Sequence, residues 1–108
     1  MCECTSLVKD GLAGASPSIA GKLSFYSPTM YDQFDNPANY KISGISLETT
    51  RQPGDVVFWA DSNGIHHVGI AVAGNYVLQV SSSKLGVIMS TDNMGTGNWL
   101  KNKYGRVK

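Results

Sequence analysis

The chain has 108 residues, an apolar share of 42% and a formal charge of +1. That length predicts one domain, residues 1–108, able to bury a modest core. The near-neutral charge, with no basic stripe and no block of like charges, argues against nucleic acid as a partner, and no segment approaches the length of a membrane span. No export signal is legible at the start, so the expectation is a domain that was processed or cut from a longer protein.

Residues 4–12, CTSLVKDGL, read as a short helix with Leu7, Val8 and Leu12 on one stripe, weakened or ended by Gly11 and Gly14. Residues 13–24 read as loop, with Pro17 and several serines. SPTMYDQFD, residues 27–35, carries a helix start: Ser27 as cap, Pro28 in the first turn, then Met30, Tyr31 and Phe34 as the apolar face. NPANYKISG reads as loop.

The second half changes character. A Pro-Gly turn leads into the strand DVVFWA, SNG is a turn, and HHVGIAVA is a second strand. Gly74 and Asn75 form a two-residue hairpin turn into a third strand, YVLQVS. GVIMS is a fourth strand, DNMGTGN is loop, and WLKNKYGRVK is a short helix followed by a terminal strand. Helices first and antiparallel strands after give an α+β domain with helices on one side of a sheet.

Cys4 falls at the start of the first helix, where exposed N–H groups and the helix dipole favour a thiolate. His67 opens a strand that such a helix could cover, and a Cys–His pair is an arrangement for nucleophilic catalysis. Gln79 lies on the next strand. With the turn centred near residue 73, His67 and Gln79 come near each other across the ladder, on one face. Gln79 would orient the imidazole without adding charge. Cys2 and Cys4 are badly spaced to bridge each other, so at least one thiol is expected to remain reduced.

These segments resemble the NlpC-type cysteine peptidases, which cut the peptides of bacterial cell walls. That family carries a pattern like Asp-Cys-Ser-Gly-Leu-Val, and here residues 3–8 read ECTSLV. It carries QPGDLVFF, here QPGDVVFW at 52–59, and GHVGIYVG, here HHVGIAVA, with Gln79 at the step of the third polar residue. The ending NWLKNKYGRVK is also similar. Glu3 stands in place of Asp, Ser6 in place of Gly, His66 in place of Gly, and Gln79 where His is commoner. Most members also have a helix and a Tyr-rich segment before the cysteine.

The resemblance implies a papain-like α+β fold, with Cys4 as nucleophile, His67 as base and Gln79 as the orienting residue. It implies hydrolysis of an amide bond in a peptidoglycan stem peptide, between D-glutamate and a diamino acid, with no metal or cofactor. The setting would be the cell wall or periplasm. An inhibitory protein would be a partner if the domain is a toxin tip; a phage lysin and a housekeeping wall enzyme are the other settings.

Other readings stay open. Cys4 could be a small buried hydrophobe, His67 a structural histidine, and Gln79 a cross-strand surface residue. Cys2, Cys4, His66 and His67 could total four zinc-type ligands, although their spacing is tighter than usual. PGD at 53–55 reads as turn chemistry, and Trp59, Tyr26, Tyr31, Tyr76 and Trp99 as core or groove lining. A CHAP-type amidase, an acyltransferase and a silent wall-binding module are the alternative functions.

Overall fold

A computed structural model describes residues 3–81, 86–91, 98–100 and 102–108. Three α-helices come first: α1 (Glu3–Ala13), α2 (Pro17–Lys22) and α3 (Ser27–Asp35), followed by a 3-10 turn at Pro37–Tyr40. The strands are β1 (Ile45–Glu48), β2 (Val56–Asp61), β3 (Gly64–Ala71), β4 (Tyr76–Ser81), β5 (Gly86–Thr91), β6 (Asn98–Trp99) and β7 (Tyr104–Val107). They form one antiparallel sheet in the order β1-β7-β2-β3-β4-β5, with β6 paired to β2. This is the expected α+β, papain-like arrangement.

Helix spacing sets the first layer. Cys4, Val8 and Leu12 recur every four residues on α1 and are all buried. With Met30 and Phe34 of α3 they pack on Val56, Phe58 and Val68 of the sheet. Tyr31 and Phe34 meet Phe58 edge-on, at 5.0 and 6.1 Å between ring centres. Gly105 lets α3 come close, since a Cβ there would sit 3.0 Å from the Phe34 ring. The alternate residues of the same strands form a second core: Val57, Trp59, Ala71, Val77 and Tyr104.

Several expectations change. Residues 17–22 are helical rather than loop: Ser16 is extended, accepts from Ile19 N–H, and leads into Pro17 at the helix start. The same Ser-Pro pair at α3 works differently. Tyr26 takes the cap position without a side-chain bond, and Ser27 is buried as a helical residue. Strand β1 was not expected; it pairs with β7 from Ile45↔Val107 to Glu48↔Tyr104, so partners distant in sequence create it. Trp99 lies in β6 opposite Trp59, not in a helix, because the edge of β2 offers it a ladder. The loop expected over residues 92–98 lies outside the described residues as far as 97, and Asn98 is not loop but pairs with Ala60 in β6.

The Pro-Gly turn is as expected. Gly54 has φ +93°, Asp55 N–H donates to Gln52 O, and the Asp55 carboxylate accepts from Gln52 N–H at 2.8 Å. Asp55 is 2% exposed and is held by Arg106 of β7 through two bonds of 2.9 and 2.8 Å. That pair ties the entrance of β2 to the last strand.

Candidate active site

β3 carries both histidines, and a β-bulge separates their roles. Trp59 pairs with His67 and Ala60 with Ile65, so His66 is the extra residue. His66 turns toward Asp61, with Nδ1 3.8 Å from Oδ2. His67 keeps its ladder position, half-buried, with its ring 5.0 Å from the Trp59 ring. The two imidazoles therefore have different partners.

His67 Nε2 donates to Gln79 Oε1 at 2.6 Å. Gln79 is buried, and its own Nε2 donates to Ser90 Oγ on β5. The proximity of His67 and Gln79 is as expected, but the register is not. The ladder pairs Ile70 with Leu78 and Ala71 with Val77, which brings Gly69 opposite Gln79. The contact to His67 is thus diagonal. The hairpin connection is four residues, Val72–Asn75, rather than two, and Val72 N–H bonds to Tyr76 O across Ala73, Gly74 and Asn75. Arg51 closes this connection by donating to the carbonyls of Val72, Gly74 and Tyr76.

Burial pushes the His67 pKa below the ordinary histidine value. The bond to Gln79 opposes that shift, and the charge of His66 adds to it. The uncharged amide orients the ring but adds little to the stability of an imidazolium.

Cys4 is in the first turn of α1, as expected, and is 1% exposed in the layer between helix and sheet. Val68, the residue after His67, belongs to the same cluster. Cys4 is disulfide-bonded, which corrects the expectation of a reduced thiol. The chain's other cysteine, Cys2, lies outside the described residues. Thus the structure joins His67 to Gln79 directly and sets Cys4 on the helix that packs against their two strands.

Two contributors were not anticipated. Trp59 was expected as lining and proves to be the ring against the imidazole. Ser90 was unassigned, because the length of the β4–β5 connection gives no register from sequence. Tyr26 and Tyr76 are exposed rather than core, with Tyr26 on an open cavity beside Lys9, Leu23 and Phe25. Thr5 braces that edge by donating from Oγ1 to Phe25 O at 2.7 Å. No helix among the described residues is long and apolar enough to cross a membrane.

Comparison with known proteins agrees with this fold. One solved relative is the P60 domain of antigen MAP1272c from M. avium paratuberculosis, at 23% identity and a TM-score of 0.52. The match covers 82% of this chain and 55% of that one, so this chain spans about half the length of that relative. It shows a shared fold. A search of curated protein sequences returns no significant match. The description of the NlpC/P60 family matches residues 2–107, and the chain belongs to that family.

Proposed function

We propose that this domain hydrolyses an amide bond in peptidoglycan stem peptides, of the D-glutamyl–diamino acid type, using Cys4, His67 and Gln79. The observation that carries the reading is the 2.6 Å bond from His67 Nε2 to Gln79 Oε1, on the strand that α1 covers. A neutral imidazole bonded this way holds its proton on Nε2 and offers Nδ1 as the base. The partnership with Cys4 rests on the family to which ECTSLV and HHVGIAV belong: α1 packs on the Val56, Phe58 and Val68 face of the sheet, and His67, next to Val68, is on the Trp59 face. Gly11 lies over Ile70 so closely that a Cβ there would meet Ile70 Cδ1 at 2.4 Å. Family membership supports a cell-wall peptide as substrate.

The reaction begins with reduction of the Cys4 disulfide by an external thiol, since a disulfide sulfur is no nucleophile. His67 Nδ1 takes the Cys4 proton, and the thiolate attacks the amide carbonyl. The backbone N–H of Cys4 and a neighbouring donor would stabilise the oxyanion. The imidazolium then protonates the leaving amine, the C–N bond breaks, and an acyl-thioester remains. His67 deprotonates water, which attacks the thioester, releasing the acid and restoring the thiol. The site of action would be the wall or periplasm, reached by export or delivery.

The test is a digest of purified peptidoglycan by the reduced protein beside Cys4→Ala, with fragments read by mass spectrometry. New fragments from the parent alone support the reading, and their masses name the bond. Fragments freed at the sugar–peptide junction would replace it with the amidase reading. No fragments from either protein would overturn hydrolysis of the wall. His67→Ala should lower the rate by about 10²–10⁴-fold, the usual worth of a positioned base.

A further inference from the structure

His67, Gln79 and Ser90 lie on three successive strands, and Gln79 uses both ends of its amide between them. Oε1 accepts from His67 Nε2, and Nε2 donates to Ser90 Oγ. Ser90 pairs with Val77, not with Gln79, so this second bond is also a diagonal. It runs along the face that Val77 shares with Trp59.

An amide can present its oxygen or its NH₂ to a neighbour, and the two choices have opposite consequences. Oxygen toward the imidazole requires a proton on His67 Nε2. NH₂ toward it requires a lone pair on Nε2 and moves the proton to Nδ1. An imidazolium donates from both nitrogens, so only the oxygen can face it. Gln79 is 7% exposed, and an NH₂ group turned away from His67 there needs a protein acceptor. Ser90 Oγ is that acceptor, and it favours this orientation when its own O–H donates elsewhere. A carboxylate at the same position would need no such help, because either of its oxygens can accept.

The geometry points to Ser90 as a positioning residue: by accepting from Gln79 Nε2 it keeps Gln79 Oε1 toward His67, which sets the proton on Nε2 and leaves Nδ1 as the base. What Nδ1 then does rests on the proposed function above; the orientation itself belongs to the three side chains.

The test uses nitrogen NMR of labelled His67 in a Cys4→Ala background, which needs no turnover. Ser90→Thr keeps the hydroxyl, and Ser90→Val keeps the bulk of threonine without it; both suit a strand. The parent and Ser90→Thr should show the neutral ring with its proton on Nε2. Ser90→Val should give a mixture of tautomers and an imidazolium that titrates at lower pH. In a Gln79→Glu background the same Ser90→Val change should leave the tautomer unaltered. Ser90→Val matching Ser90→Thr overturns the proposal, as does an equal effect with Gln79→Glu in place. In the reduced protein with Cys4 intact, Ser90→Val should lower kcat severalfold at unchanged KM, and Ser90→Thr should not. A tautomer change without wall digestion by the parent would sink the proposed function and leave the positioning role standing. Digestion with no tautomer change would do the reverse.

Discussion

His67 meets Gln79 on a diagonal of the β3–β4 ladder, and Gly69 occupies the place directly opposite Gln79. The glycine is what the diagonal needs. A Cβ at Gly69 would sit 2.7 Å from Val77 Cγ1, 2.9 Å from Leu78 O and 3.3 Å from the Trp59 ring. Trp59 in turn lies against His67. The missing side chain therefore lets the indole reach the imidazole and lets β4 come close.

Gly69→Ala should accordingly cost about 2 kcal/mol, within the range for overpacking a well-filled core. Urea unfolding would show a lower midpoint at unchanged slope. A variant as stable as the parent would mean that the sheet yields freely here, and that the diagonal does not depend on the glycine.

Arg51 governs the same hairpin from its turn. Its guanidinium reaches three carbonyls, those of Val72, Gly74 and Tyr76. Gly74 at φ +72° bends the chain so that these carbonyls converge. Arg51→Ala should destabilise by about 1–2 kcal/mol, since charged donors to carbonyls are worth more than neutral ones but part of this site is open to water. Arg51→Lys should recover little, because one ammonium lacks the planar fork. Hydrogen exchange at Val72 and Tyr76 N–H would quicken in both variants. Full recovery by lysine would show that charge, not geometry, holds the turn.

How much of this was legible depended on how local the cause was. The α3 segment and strands β2 to β5 followed from side-chain periodicity and turn residues. So did the Asp55 turn, whose partners lie three residues apart. β1 was hidden because its apolar pattern is short and its partner β7 lies far along the sequence. The ion pair of Asp55 with Arg106 was hidden for the same reason. α2 was legible in principle from Ser16-Pro17, but its six residues carry too short an apolar stripe to outweigh two glycines nearby. The face shared by His67 and Gln79 was right because parity survives a shift of two residues. The register was wrong because the turn is longer than its Gly-Asn pair suggests.

The oxidised state of Cys4 bears on any assay of turnover. Without reductant the proposed nucleophile is blocked. Wall digestion should be absent in the oxidised protein and appear on adding a dithiol, which takes up the oxidation by closing its own disulfide. Cys2→Ser should remove the need for reductant, since Cys2 is the chain's only other cysteine. Equal activity of the parent with and without dithiol would show that the disulfide does not control the site.

His67 gives the stability of the oxidised protein a pH dependence of known sign. Its folded pKa lies below the ordinary value, chiefly through burial, so the unfolded chain binds the proton more readily. The contribution is whole above about pH 6.5, the unfolded value, and is lost as pH falls through the folded one. The stability advantage of the parent over His67→Gln should therefore shrink on acidification below about pH 6.5, as read by urea unfolding at a series of pH values. A constant difference would mean that His67 titrates alike in both states.

Reduction should move the same titration upward. If Cys4 is the partner proposed for His67, its thiolate favours imidazolium, as any opposite charge within about 4–6 Å does. Burial and the charge of His66 pull the other way, and the Gln79 bond adds to the rise. NMR titration of His67 in oxidised and reduced protein measures the balance, with Cys4→Ala as the control that has no thiolate. The expected order is reduced parent highest, with oxidised parent and Cys4→Ala alike and lower. If all three coincide, Cys4 and His67 do not share a charge. The helix and the histidine strand would then be neighbours in the fold without being partners in catalysis, whatever bond the protein cuts.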